Sequence, residues 1–159
     1  MMAKTTLQDF LLDRNVLAVK ISSKELTGVF RKSLSIPLNT AGLALFDDGT
    51  CSLFREGQEV TGKFDLILVK EGEVQLRLIF PDLRTSDGLS LSAVCTFTAA
   101  ISTTRPDLFK DFCRTLFTFP GTYGTSELKN HVATEIRRLL ADYVSRRPDP
   151  LVLIQQPRE

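Results

Sequence analysis

Few residues of this 159-residue chain have types that do chemistry, and each also has a plain structural use. Asp47 and Asp48 are adjacent carboxylates, which can move a proton or hold a hard cation. A calcium loop spreads its oxygen ligands over about twelve residues. These two stand alone in Asp47-Asp48-Gly49-Thr50, so a hairpin turn is the expected use. His131 is the only histidine. A general base needs an orienting partner and a zinc site needs further ligands, so a surface histidine is expected. Cys51, Cys95 and Cys113 are far apart and form neither CxxC nor a metal-ligand spacing. Cys95 and Cys113 sit at apolar positions and are expected as small buried hydrophobes. Gly121-Thr122-Tyr123-Gly124 is a GxxG segment between two predicted helices, the arrangement by which KH domains clamp a nucleic-acid backbone. Thr122 and Tyr123 add no positive charge, so a helix–helix turn is expected there. No GxSxG, GxxxxGK[ST] or GxGxxG occurs. The residues supply no catalytic set, no cofactor-binding motif and no metal site, and a non-enzymatic protein is expected.

The elements that would position these residues centre on Leu89–Ile101, LSLSAVCTFTAAI. Apolar side chains fall on every odd position, and small or hydroxylated ones on most even positions. A period of two over that length predicts a long strand with one face in a core and the other near solvent. Before it, residues 1–15 predict a short amphipathic helix and Val16–Ile21 a strand. Lys24–Ser35 is ambiguous, with Gly28 interrupting it. Leu43–Phe46 and Cys51–Phe54 flank the Asp-Gly turn, a hairpin signal. Glu56-Gly57 and Glu71-Gly72 are further turns around a nearly all-apolar strand, Phe64–Val69. Val74–Phe80 alternates again, and Pro81 is expected to end it because proline cannot donate to a ladder.

After Ile101 the period becomes helical. Thr104-Arg105-Pro106-Asp107 predicts a helix start, followed by Leu108, Phe109, Phe112, Cys113, Leu116 and Phe117 at helical spacing. The second helix carries Leu128, Val132, Ile136, Leu139, Leu140, Tyr143 and Val144 on one broad face. Arg137, Arg138, Arg146 and Arg147 gather toward its negative end. The phenylalanines of the second half, Phe97, Phe109, Phe112, Phe117 and Phe119, are expected as core filling. The fold class expected is α+β. A twisted, largely antiparallel sheet of short strands plus one long strand (about 89–101) would carry two C-terminal helices (about 106–118 and 126–145).

A net charge of +1, with 43% apolar and 25% charged residues, describes an ordinary globular chain. It disfavours a large nucleic-acid footprint. No run of about 18 apolar residues is present to make a transmembrane helix. The cysteine usage fits a reducing, cytoplasmic compartment.

Taken together, residues from about Ser35 to Val144 resemble an SPFH domain, the band-7 or prohibitin-homology module of stomatins, prohibitins and flotillins. Ile36-Pro37-Leu38-Asn39-Thr40-Ala41-Gly42-Leu43 resembles the family's opening strand. Asp48-Gly49, Leu53 and Glu56-Gly57 resemble the next hairpin, although the family usually has Pro-Gly at the last turn. Thr85-Ser86-Asp87-Gly88-Leu89 resembles the Thr-x-Asp step into a long alternating strand. Thr104–Phe109 resembles the change from that strand to a helix, and Leu128–Val144 the helix after it. The family's membrane segment and long charged oligomerising helix have no counterpart here, and the chain is most similar to the soluble bacterial members. The division this implies is 1–34 as an N-terminal helix and strand extension, 35–147 as the SPFH-like domain, and 148–159 as a Pro-rich tail or linker. The resemblance implies a scaffold or assembly module that self-associates as a homo-oligomer or organises partner proteins. It also implies peripheral association with the cytoplasmic side of a membrane. A small nucleic-acid- or ligand-binding domain using Gly121–Gly124 is the alternative.

Overall fold

The computed structural model of the chain describes residues 2–26, 32–117 and 121–147, and for residues 2–6 and 117 the backbone alone. The elements are α1 (Met2–Leu12), β1 (Val16–Ser22), β2 (Ser33–Ser35), β3 (Thr40–Phe46), β4 (Cys51–Arg55), β5 (Glu59–Thr61), β6 (Phe64–Lys70), β7 (Glu73–Arg84), β8 (Ser90–Ala100), α2 (Pro106–Phe117), β9 (Thr122–Gly124) and α3 (Thr125–Ser145). The fold is α+β, as the periodicities predict. The expectations for Gly28, for Phe119 and for the tail at 148–159 lie outside the described residues. The chain forms two compact units, Met1–Val74 with Ala99–Ser126, and Gln75–Thr98 with Glu127–Glu159.

The first unit is built on an antiparallel sheet in the order β4-β3-β6-β1-β9. Its inner strand β6 alternates between two cores. Leu66 and Leu68 face a cluster with Phe10 of α1, Val19, Ile21, Ile36 and Val60. Ile67 and Val69 face the opposite cluster, with Leu43 of β3 and Phe109, Cys113 and Leu116 of α2. Cover on both faces is why Phe64–Val69 is nearly all apolar rather than alternating. The short β2–β5 pair lines the first face through Val60. At the edge of α1, the Lys70 ammonium donates to the Asp13 carbonyl (2.6 Å) and sits 5.0 Å from the Phe10 ring centre. Burial pulls that amine below its ordinary range, partly opposed by Asp13.

The β3–β4 hairpin forms at the Asp-Gly step, with Leu43 opposite Leu53 and Leu45 opposite Cys51. Gly49 takes φ 84°, which glycine adopts without Cβ strain. Gly42 answers a different need. A Cβ there would lie 2.9 Å from Leu66 Cδ1 and 3.2 Å from Ile36 Cδ1.

Two expectations are corrected. Pro81 does not end its strand: β7 continues to Arg84. Among the described residues β7 pairs with β8 alone, so one of its edges carries no ladder. A residue without an N–H is tolerated on such an edge. The positive φ of Asp82 (57°) marks the local irregularity beside it. The second correction concerns Gly121–Gly124. Residues 122–124 are not a helix–helix turn but the edge strand β9, paired antiparallel with β1. Val19 lies opposite Thr122, Ala18 opposite Tyr123 and Val16 opposite Gly124, and the Lys20 N–H donates to the Gly121 carbonyl (3.0 Å).

Candidate functional site

The chemistry-bearing residues do not converge. Asp47 and Asp48 are exposed at the β3–β4 turn. There the Thr50 N–H and hydroxyl both donate to Asp48 Oδ1, at 2.9 and 2.6 Å. These bonds hold the Asp48 carboxyl below the usual carboxylate range, as a side chain closing its own turn should. His131 is exposed on α3. Cys51 is exposed, Cys95 half-buried and Cys113 buried. Cys95 is thus less covered than its apolar position suggests. Burial pushes the Cys113 thiol up to about 12. Among the described residues, no group of three or more His, Cys, Asp or Glu could hold a metal ion. A hollow of about 10 Å³ opens between β1, β9 and Leu116, room for about one water. Phe109 is buried, and Phe112 packs edge-on against Tyr123 at 5.6 Å. Phe97 is half-buried on β8.

What the structure brings together instead is a surface, in the second unit. β7 and β8 make a two-stranded ribbon, joined by Thr85–Leu89. The buried Thr85 closes that turn. Its N–H donates to the Leu89 carbonyl and its Oγ1 accepts from the Leu89 N–H, both at 2.9 Å. The hydroxyl also donates to Asp87 Oδ1. Gly88 completes the turn at φ 86°. The Ser86 N–H donates to the carbonyl of Arg147, just past α3 (3.2 Å).

β8 keeps the alternation read from its sequence. Odd positions are half-buried and even positions exposed along its whole length. The core it faces is thin. Phe80, Leu83 and Val144 form its buried cluster, with Leu78, Leu91, Ala93 and Cys95 of the ribbon packed around them, and Leu76 of β7 is buried besides. From α3 come Ala133, Ile136, Leu140 and Ala141.

At about 100° per residue, those α3 residues occupy one side of its apolar face. Leu128, Val132, Leu139 and Tyr143 lie on the adjoining flank, displaced by about 110°. Leu139 and Tyr143 are 54% and 48% exposed. The apolar face of α3 is therefore wider than the part the ribbon buries. Ile79 and Val94, on the opposite face of the ribbon, are 62% and 54% exposed.

Charges frame the flank. Glu135 takes a bidentate pair from Arg138 at 3.1 and 2.6 Å, and Asp142 pairs with Arg146 at 2.9 Å. The Arg138 bonds hold the Glu135 carboxyl below its usual range. The Arg147 guanidinium lies 4.5 Å from the Tyr143 ring centre. Sequence reading found the helix and its apolar face. It missed the excess, because core and interface residues share one pattern.

Among the described residues, no helix is long and apolar enough to cross a membrane. Comparison with family models, curated proteins and solved structures found no match to this chain.

Proposed function

We propose that this chain is a non-enzymatic assembly module of SPFH type, which self-associates or organises partner proteins at the cytoplasmic side of a membrane. One observation carries the reading: α3 exposes apolar side chains, Leu139 and Tyr143, beside a core to which β8 contributes no fully buried residue. Apolar surface left open next to an incomplete core is how association surfaces look. The resemblance of residues 35–147 to the SPFH pattern agrees with it. The segment that would serve the nucleic-acid alternative spends its backbone on pairing with β1.

Molar mass by light scattering over a wide concentration range tests the reading. A discrete or growing oligomer supports it. A mass of 17.8 kDa at every concentration overturns self-association. Flotation with vesicles tests the membrane arm, and co-flotation of the chain is the expected result.

A further inference from the structure

We infer that the outer edge of β8 pairs antiparallel with β8 of a second copy of this chain, about a two-fold axis at Cys95. This rests on the self-association reading and names its interface.

Three features of β8 support it. First, among the described residues no strand pairs with that edge. Open edges are normally blunted by charge, proline or a bulge. β7 carries such devices in Glu73, Arg77, Pro81, Asp82 and Arg84. β8 carries none: from Leu89 to Thr104 there is no charged residue, no proline and no glycine. An edge of eleven residues with no electrostatic penalty against its own copy suits a neutral strand and not a charged one.

Second, the strand is complementary to itself. With Cys95 opposite Cys95 of the other copy, the half-buried face sets Ala93 against Phe97 and Leu91 against Ala99. Each large side chain meets a small one. On the exposed face Val94 meets Thr96 and Ser92 meets Thr98. β-Branched and hydroxyl pairs of this kind stabilise antiparallel neighbours.

Third, the size is right. An eleven-residue antiparallel pair offers about ten hydrogen bonds, the number found in a standard interface. A two-fold axis through the sheet places both α3 helices on one side. Four strands about 4.8 Å apart then carry two helices packed about 8–10 Å apart. β8 changes from an edge strand, half-covered at every odd position, to an inner strand.

The geometry supplies a probe. Residues directly opposite in antiparallel strands have Cα atoms about 4.5–5.5 Å apart, within disulfide range. The test uses the full chain with Cys51→Ser, which removes the exposed thiol; Cys113 is buried. Mild oxidation with copper–phenanthroline is expected to link most chains into covalent dimers that dithiothreitol separates. Adding Cys95→Ser is expected to abolish the link. Val94→Lys, on the exposed face, is expected to weaken the dimer at least tenfold while far-UV circular dichroism stays that of the parent. An oligomer that forms no Cys95 link and keeps its mass in Val94→Lys overturns the edge pairing and leaves self-association standing. A monomer with Cys95 unlinked overturns both.

Discussion

Thr85 and Leu89 clasp each other twice across the turn that joins β7 to β8. The Thr85 N–H meets the Leu89 carbonyl, and the Leu89 N–H meets the Thr85 hydroxyl, at 2.9 Å each. Thr85 is only 5% exposed, so water cannot readily replace the hydroxyl. Thr85→Val keeps the shape and removes the acceptor. It is expected to destabilise the chain by about 0.5–1.5 kcal/mol, the net worth of a partly buried hydrogen bond. Urea unfolding measures this, and the Leu89 amide is expected to exchange its hydrogen faster.

Gly42 stands where β3 crosses the side chains of Leu66 and Ile36. A single Cβ already falls at 2.9 and 3.2 Å from their terminal methyls. Both neighbours are buried and cannot swing into solvent. Gly42→Val is expected to cost about 1–3 kcal/mol by overpacking. Adding Leu66→Ala, which opens that space, is expected to recover part of the loss relative to the sum of the single changes. A double-mutant cycle in urea reads the coupling.

How much of this was legible depended on whether the signal is local. The alternation of β8 needs no neighbour to be read, because period two sorts side chains by face whatever the strand pairs with. The nearly all-apolar run Phe64–Val69 likewise reads as a buried strand without reference to any neighbour. Pro81 misled because its effect depends on which edge is paired, and pairing is not written in the strand itself. β9 is three residues long, too short for any period. Its strand state comes from β1. The apolar face of α3 was plain at Leu128–Val144, but the split between what the ribbon buries and what Leu139 and Tyr143 leave open is a tertiary fact.

Arg55, Glu71 and Thr103 form a three-way tie within the first unit. Arg55 Nη1 pairs with Glu71 Oε1 at 3.0 Å, Arg55 Nη2 donates to the Thr103 carbonyl at 2.8 Å, and the Thr103 hydroxyl donates to Glu71 Oε1 at 2.6 Å. The ion pair is well exposed, at 48% and 34%, so water and salt screen it. A cycle of Arg55→Met with Glu71→Gln is expected to give a coupling of only about 0.2–1 kcal/mol, shrinking at high salt. Thr103 is 6% exposed. Thr103→Val is expected to cost about 1 kcal/mol and to be insensitive to salt.

Cys113 and Cys51 should behave as opposites. Cys51 is exposed and expected to react with a thiol reagent within minutes, whereas Cys113 is expected to react only on unfolding. Burial raises the Cys113 thiol from an ordinary 9.0 to about 12 in the folded chain. Between those values the unfolded chain has lost a proton that the folded chain still holds. The native state therefore binds more protons, and stability falls as pH rises. The contribution is complete below pH 9 and is lost through about pH 12, at no more than about 1.4 kcal/mol per pH unit. The comparison is with Cys113→Val, so that the thiol alone differs between the two chains. Urea unfolding of both chains at pH 8, 9.5 and 10.5 (about 1 to 1.5 units apart) is expected to show the parent losing stability faster. Equal slopes would mean that the thiol ionises in the folded chain as readily as in the unfolded one.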